Sequence, residues 1–177
     1  QYFHTTTKEP LDFCKNEKMS KSKHNIVDLN AIMVEYGVDN LRLFVLSDNP
    51  PEKDLEWSAA GIDGCKKFLT RLFDMSNKIT TLTNESTKDL ELEKLIHKTI
   101  KHVTNDISNI NLNKAVARIR ELFNALNEAI SDNLNKHTIL FGYKVLLQLA
   151  NPFIPHLTEE IWQQLEEPNL LAYQNWP

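Results

Sequence analysis

Apolar residues recur with helical spacing through the second half of the chain. In the first such run they appear every three or four positions from Ile62 to Phe73, which places them on one side of a helix. The later runs hold Leu92, Ile96, Val103, Ile107 and Ile110; Val116, Ile119, Leu122, Phe123, Leu126 and Ile130; Ile139, Leu140, Tyr143, Leu146 and Leu147; and Leu157, Ile161, Trp162 and Leu165. Because short polar connections separate the runs, residues 58–167 are predicted to form an antiparallel helix bundle.

Two short helices are predicted before the bundle. Asp28 is a good N-cap for the first, which Gly37 ends in a left-handed conformation. Asp39 is predicted to open the second helix, and Pro50 and Pro51 stop it because proline cannot donate a backbone hydrogen bond.

The start of the chain has a weaker pattern. Residues 1–14 alternate around a turn that contains threonine and proline, which favours a short β-hairpin, and residues 15–25 are polar and typical of an exposed loop. The predicted fold is therefore mainly α, with an antiparallel helix bundle preceded by a hairpin, a loop and two short helices. We place a domain boundary between residues 1–54 and 55–177.

Composition excludes several classes of protein. The hydrophobic and charged fractions are 41% and 25%, which is ordinary for a globular protein, and no apolar run is long enough to span a bilayer. The net charge of −4 argues against an indiscriminate nucleic-acid binder. Cys14 and Cys65 lack the spacing of a disulfide framework or a zinc site, so two reduced thiols and no metal site are expected.

Positive charge is concentrated in one loop. Four lysines and a single acid, Glu17, lie between Lys15 and Lys23, and within this stretch residues 18–22 read Lys-Met-Ser-Lys-Ser. Lys18 and Lys21 can place two ammonium groups on one polyphosphate, while serine hydroxyls and backbone amides add hydrogen bonds. Composition alone leaves open that this is simply a solvated, lysine-rich loop.

A resemblance gives the loop a more specific meaning. Residues 18–22 match the KMSKS motif of class I aminoacyl-tRNA synthetases at all five positions, and residues 36–42 (YGVDNLR) resemble the segment that follows it. The stretches PPEKDLEW, FLTR and PFIPHLTEEIW, at residues 50–57, 68–71 and 152–162, are similar to leucyl enzymes. The departure is His24, where the family usually has glycine.

The resemblance implies a part of a leucine–tRNA ligase. In that family leucine attacks the α-phosphate of ATP, pyrophosphate leaves, and the leucyl group passes to tRNA(Leu). Lys21 and then Lys18 are the expected catalytic residues, and Lys18, Met19, Ser20, Lys21 and Ser22 together would bind the ATP phosphates. Mg²⁺ is expected with ATP, without a metal site in this chain.

The resemblance also implies what lies elsewhere. Residues 1–54 would end a Rossmann-type catalytic domain, and residues 55–177 would form a bundle of the anticodon-binding type. The HxGH motif and the leucine pocket would lie upstream, so this chain is expected to be inactive alone. A cytoplasmic, monomeric enzyme that does not contact membranes is expected.

Other residues have competing interpretations. Lys66, Lys67 and Arg71 form a predicted basic face that is either solvated or in contact with the tRNA backbone. For Trp57 and Trp162, core packing is favoured over stacking on RNA bases. The alternatives for the whole chain are an isoleucyl or valyl enzyme, a stand-alone helical RNA-binding module, or the smaller subunit of a split synthetase.

Overall fold

The computed structural model describes residues 2, 3, 6–8, 10, 11, 17–85 and 89–177. The chain opens with the predicted hairpin: β1 (Tyr2–Phe3) pairs antiparallel with β2 (Pro10–Leu11), and Tyr2 lies opposite Leu11. Cys14 lies outside the described residues.

Seven helices follow in the described part of the chain. They are α1 (Leu29–Tyr36), α2 (Val38–Asp48), α3 (Ala59–Thr80), α4 (Leu90–Ser108), α5 (Leu112–Ser131), α6 (Lys136–Ala150) and α7 (Pro155–Gln164), with single 3₁₀ turns at Lys21–Lys23 and Leu171–Tyr173. Side chains begin several of them: Ser58 accepts a hydrogen bond from the Gly61 amide, and Asp89 accepts from the amides of Glu91 and Leu92. The mainly helical fold predicted from the apolar spacing is confirmed.

The core of the bundle lies where α4, α5 and α6 pack together. Ile96, Leu122, Leu126 and Ile139 are all fully buried there. Gly142 allows the closest approach, since a β-carbon at this position would lie 2.7 Å from Leu126 Cδ2 and 2.8 Å from Ile96 Cδ1. A larger residue at position 142 would push these helices apart.

One predicted core residue lies outside the core. Ile110 was assigned to the second apolar run, but α4 ends at Ser108 and Ile110 is 62% exposed with φ of 56°. The chain reverses at this point, where the Asn111 amide donates to the carbonyl of Asp106. The pattern of apolar residues therefore includes one residue, Ile110, that lies past the end of the helix.

Asp39 also has a different role from the predicted one. Helix α2 begins at Val38, with Gly37 as its cap, and the Asp39 carboxylate points away from its own helix. It accepts a hydrogen bond of 2.8 Å from the Leu157 amide at the start of α7, and His156 Nδ1 lies 2.8 Å from its other oxygen. Asp39 therefore caps a helix that lies 118 residues further along the chain.

A second residue of α2 strengthens this connection. Arg42 donates from Nε to the carbonyl of Phe153 and from Nη2 to that of Pro152, at 3.2 and 2.9 Å. Leu43 and Phe44 are each 2% exposed and belong to the same apolar core as the later helices. The domain boundary between residues 54 and 55 stays a prediction. Helix α2 lies before that boundary, and its side chains belong to the core formed by the helices that follow it.

Candidate phosphate-binding loop and basic helix face

Residues 18–24 form a compact, hydrogen-bonded loop. Ser20 is extended, Lys21–Lys23 make one 3₁₀ turn, and His24 closes the turn in the left-handed conformation with φ of 52° and ψ of 29°. The Lys23 amide donates to the Ser20 carbonyl, and the His24 amide donates to the Lys21 carbonyl. The turn thus holds the backbone of Lys21 in a defined conformation.

Asn25 connects the two ends of this loop. Its Oδ1 accepts a hydrogen bond of 2.7 Å from the Ser20 amide, and its Nδ2 lies 3.5 Å from the Lys18 carbonyl. The hydroxyls of Ser20 and Ser22 lie 2.8 Å apart and share a hydrogen bond. Nothing in the pattern of charges singled out Asn25. The available signal was an asparagine directly after a turn, where its side chain can bond to nearby backbone.

The lysines of the loop differ in their electrostatic surroundings. Lys23 pairs with Glu17 at 3.0 Å. Lys18 and Lys21 are exposed, and no ion pair holds either ammonium group among the residues that the structure describes. The two lysines predicted to meet phosphate are therefore available for an anion, while Lys23 already pairs with Glu17. Met19 is 43% exposed.

The backbone conformation at His24 is one that glycine adopts more easily than other residues. A left-handed backbone costs an ordinary L-residue about 1 kcal/mol, and glycine avoids that cost. With histidine at this position, the restriction on the loop backbone lies in one dihedral angle, φ of 52°. Both lysines keep their positions in the motif.

Helix α1 joins the loop to the bundle. Asp28 caps its start by accepting from the Asn30 amide, as predicted. At the other end of α1, the Lys66 ammonium lies over the ring of Tyr36, and its nitrogen is 5.2 Å from the ring centroid. A hydrogen bond to Asp63, followed by desolvation, raises the pKa of Tyr36 above its usual value. Tyr36 therefore contacts two charged residues of α3.

The residues of the predicted basic face of α3 have different neighbours. Lys66 lies over Tyr36 of α1, whereas the Arg71 guanidinium lies 5.0 Å from the ring centroid of Phe123 of α5. Lys67 is exposed and has no ion pair among the described residues. Lys67 and Arg71 lie four residues apart and share a side of the helix. The three residues are all exposed, and they differ in what they contact within the protein.

Two other arginines serve the packing of the bundle. Arg118 pairs at 2.6 Å with Asp106, which is 5% exposed. The Arg120 guanidinium lies 5.1 Å from the ring centroid of Phe68 and donates to the sulfur of Cys65 at 3.4 Å. These contacts leave both side chains less available to RNA than Lys67.

The tryptophans are structural, as favoured from the sequence. Trp162 is 5% exposed, and Trp57 makes an edge-to-face contact with Phe44 at 5.3 Å between ring centroids. Gly61 also packs against Phe44, since a β-carbon there would lie 2.7 Å from the ring, while Gly64 has open space. Close packing of α3 against Phe44 therefore accounts for Gly61.

The described residues contain neither a metal cluster nor a membrane span. No group of three histidine, cysteine, aspartate or glutamate side chains is arranged to hold a metal ion in this part of the chain. Within the same residues, every helix is too short or too polar to cross a bilayer.

The loop geometry predicts a measurable effect of Asn25. Asn25→Ala is expected to raise the hydrogen-exchange rate of the Ser20 amide by about fivefold, because a lost hydrogen bond is worth about 1 kcal/mol and the amide then faces water. Exchange measured by NMR at Ser20 tests this. Asn30→Ala, on exposed α1, should leave the Ser20 rate unchanged. An unchanged rate in Asn25→Ala would show that the Ser20 bond does not persist in solution.

Comparison with known proteins places both halves of the chain. Residues 89–177 match the family described as the anticodon-binding domain of tRNA ligase, and residues 7–67 match tRNA synthetases class I (M). A leucine–tRNA ligase of Rickettsia typhi is 51% identical over 93% of this chain, and one of Rickettsia africae is 48% identical over all of it. The chain spans 20% and 22% of those two proteins.

A solved structure shows the same fold. The ternary complex of Agrobacterium radiobacter K84 agnB2 LeuRS with tRNA and LeuAMS matches with a TM-score of 0.79 at 26% identity. The match covers 90% of this chain and 22% of that protein. A known tRNA-bound enzyme therefore contains a region with the same fold as this chain.

Proposed function

The chain belongs to the anticodon-binding domain family of tRNA ligases, and we propose that it is the part of a leucine–tRNA ligase that contributes the lysine loop and the tRNA-contacting bundle. The observation that carries the proposal is the loop at residues 18–22, whose Lys18 and Lys21 have no ion pair among the described residues. The identity of 51% to a leucine–tRNA ligase favours leucine over isoleucine or valine.

The lysines would act on charge that develops during leucine activation. Negative charge builds on the pyrophosphate as it leaves, and an ammonium group held in place stabilises that charge more than it stabilises bound ATP. Lys21 is the main candidate because the 3₁₀ turn sets its backbone, and Lys18 is the second. Ser20, Ser22 and the Met19 backbone would complete the phosphate contacts.

The remaining substrates would bind largely outside this chain. ATP and leucine would be held mainly by other parts of the ligase, and Mg²⁺ would accompany ATP without a site among the described residues. Because the chain spans about a fifth of its relatives, we expect it to be inactive alone. We expect the ligase to be a cytoplasmic monomer that does not bind membranes.

The bundle would contact the backbone of tRNA(Leu). Lys67 is the strongest candidate because it is exposed and has no ion pair among the described residues. Lys66 and Arg71, which lie over the rings of Tyr36 and Phe123, would add further phosphate contacts. The negative net charge favours few phosphate contacts. A stand-alone RNA-binding module is less consistent with the chain, because such a module has no use for a phosphate-binding loop of this kind.

Binding of tRNA(Leu) tests this part of the proposal. The 177-residue chain should bind weakly, with affinity that falls steeply from about 50 to about 200 mM salt, because release of counterions supplies most of the free energy. Lys67→Ala should reduce the slope of log affinity against log salt by about one unit, as expected for one lost phosphate contact. Fluorescence anisotropy with labelled tRNA measures both quantities.

A second lysine provides the matched control. Lys94 is also exposed on a helix, but it pairs with Glu91 at 2.7 Å, so Lys94→Ala should leave the slope nearly unchanged. Equal slopes for Lys67→Ala and the unmodified chain would place the RNA contacts elsewhere. Tight binding that ignores salt would show base-specific contacts instead.

A further inference from the structure

Helix α1 connects the lysine loop to the rest of the protein, and none of its residues is buried in the described structure. Leu29 is 52% exposed and Val34 is 90% exposed. A helix of eight residues is too short to be stable on its own, so its position depends on the contacts that it makes with its neighbours. Those contacts therefore also decide where the lysine loop lies.

Two residues of α1 pack against the core. Ile32 and Tyr36 are half-buried there, and because they lie four residues apart they share one side of the helix. Ile32 contributes an apolar contact, which has no preferred direction. Tyr36 differs because its ring lies under the Lys66 ammonium and its hydroxyl donates a hydrogen bond to Asp63. Tyr36 is therefore the residue of α1 whose contacts with the bundle fix a direction.

The helix that receives Tyr36 packs closely against its own neighbour. Both partners of Tyr36 belong to the first turns of α3, where a β-carbon on Gly61 would lie 2.7 Å from the Phe44 ring of α2. Gly37, which follows Tyr36, has φ of 86° and ψ of 154°, a conformation that is open to glycine and costly for other residues. Helix α1 thus leaves α2 at a defined bend, and Tyr36 is the contact beside that bend.

A small rotation of α1 is enough to misplace the lysine loop. The eight residues of α1 span about 12 Å, so a rotation of about 5° at Tyr36 moves the other end of the helix by about 1 Å. A displacement of about 1 Å can lower the rate of a catalysed step by about 10². Because the turn that contains Lys21 is itself hydrogen-bonded, the displacement is carried to the Lys21 ammonium.

We propose that Tyr36 is a positioning residue for Lys21. Its contacts with Asp63 and Lys66 set the direction in which α1 leaves the bundle, and α1 sets where the lysine loop presents the Lys21 ammonium to the leaving pyrophosphate. Tyr36 itself touches no substrate. The inference rests on the function proposed above for Lys21, and it adds a residue that lies outside the five-residue motif at residues 18–22.

Substitution of Tyr36 in a full-length ligase that contains this segment tests the proposal. Tyr36→Phe keeps the ring under Lys66 and removes the hydroxyl, so it should lower the rate of leucine-dependent exchange between ATP and labelled pyrophosphate about threefold. Tyr36→Leu removes both contacts and should lower that rate about tenfold. Both losses should appear in kcat, with little change in the KM for leucine. Tyr173→Leu, at a tyrosine that is 81% exposed in the last 3₁₀ turn, is the matched control and should leave the rate unchanged.

A double-mutant cycle with Lys21→Ala separates positioning from a general structural role. Removal of the ammonium leaves nothing for Tyr36 to position, so adding Tyr36→Leu to the Lys21→Ala protein should lower the residual rate by less than about twofold. A residue that only stabilises the fold would cause the same relative loss in both backgrounds. Thermal unfolding of each protein shows whether it is folded, and Tyr36→Phe gives the same comparison where Tyr36→Leu does not fold.

The outcomes distinguish this inference from the proposed function. A loss in the Tyr36 variants that disappears in the Lys21→Ala background supports the inference. Equal relative losses in both backgrounds, or no loss in either Tyr36 variant, would overturn it and leave the role of Lys21 intact. An unchanged exchange rate in Lys21→Ala alone would overturn the function proposed for the loop, and this inference with it.

Discussion

Lys21→Ala is expected to lower the rate of leucyl-adenylate formation by about 10²–10³ in a full-length ligase that contains this segment. The ammonium group acts on charge that appears only as pyrophosphate leaves, so its removal destabilises the transition state more than the bound substrates. The KM for leucine should therefore change little. Leucine-dependent exchange between ATP and labelled pyrophosphate measures the rate, and its dependence on leucine gives the KM.

Lys23 is the control for this experiment because it belongs to the same turn. Its ammonium is paired with Glu17 at 3.0 Å, so Lys23→Ala should reduce the exchange rate much less than Lys21→Ala. Similar losses in both variants would indicate a general effect of positive charge. A loss confined to the KM for leucine would show that Lys21 does not act on the transition state.

Leu122→Ala is expected to lower the free energy of unfolding of the chain by about 2–5 kcal/mol. Leu122 lies in α5 and is fully buried in the core. The shorter side chain leaves a cavity between helices, because the surrounding side chains cannot collapse completely into the space. Chemical denaturation followed by circular dichroism at the helical band measures the change.

Leu90 is the matched control at an exposed helical position. It is 65% exposed at the start of α4, so Leu90→Ala should change the free energy of unfolding by less than about 0.5 kcal/mol. A loss below about 1 kcal/mol in Leu122→Ala would contradict the burial seen at that position. Equal losses in both variants would contradict the assignment of the core.

The sequence by itself determined most of the helices and their approximate ends. Apolar residues at helical spacing identify the buried side of each long helix because burial of that side is what stabilises it. Local chemistry set several boundaries: Ser58 accepts from its own helix, and Pro50 ends α2 by lacking an amide proton. The assignment of Ile110 to the buried side of α4 was wrong, because apolar spacing alone does not reveal where the chain reverses.

The lysine loop was identified from the sequence through its five-residue motif, but the shape of the loop was not. The motif names Lys18 and Lys21, whereas the bond from the Ser20 amide to Asn25 and the left-handed conformation of His24 appear only in the folded structure. Charge patterns also could not show that Lys23 pairs with Glu17. Each of these depends on the path of the backbone between the residues.

Only the tertiary structure decided how the loop segment is joined to the bundle. Asp39 was expected to begin its own helix, because a carboxylate near a helix start usually satisfies the nearest free amides. Its actual partners, Leu157 and His156, are more than 110 residues away along the chain. Tyr36 and Lys66 likewise meet only after α1 and α3 pack. Local spacing predicts helices because their hydrogen bonds are local, and it cannot predict contacts that exist only once those helices have packed.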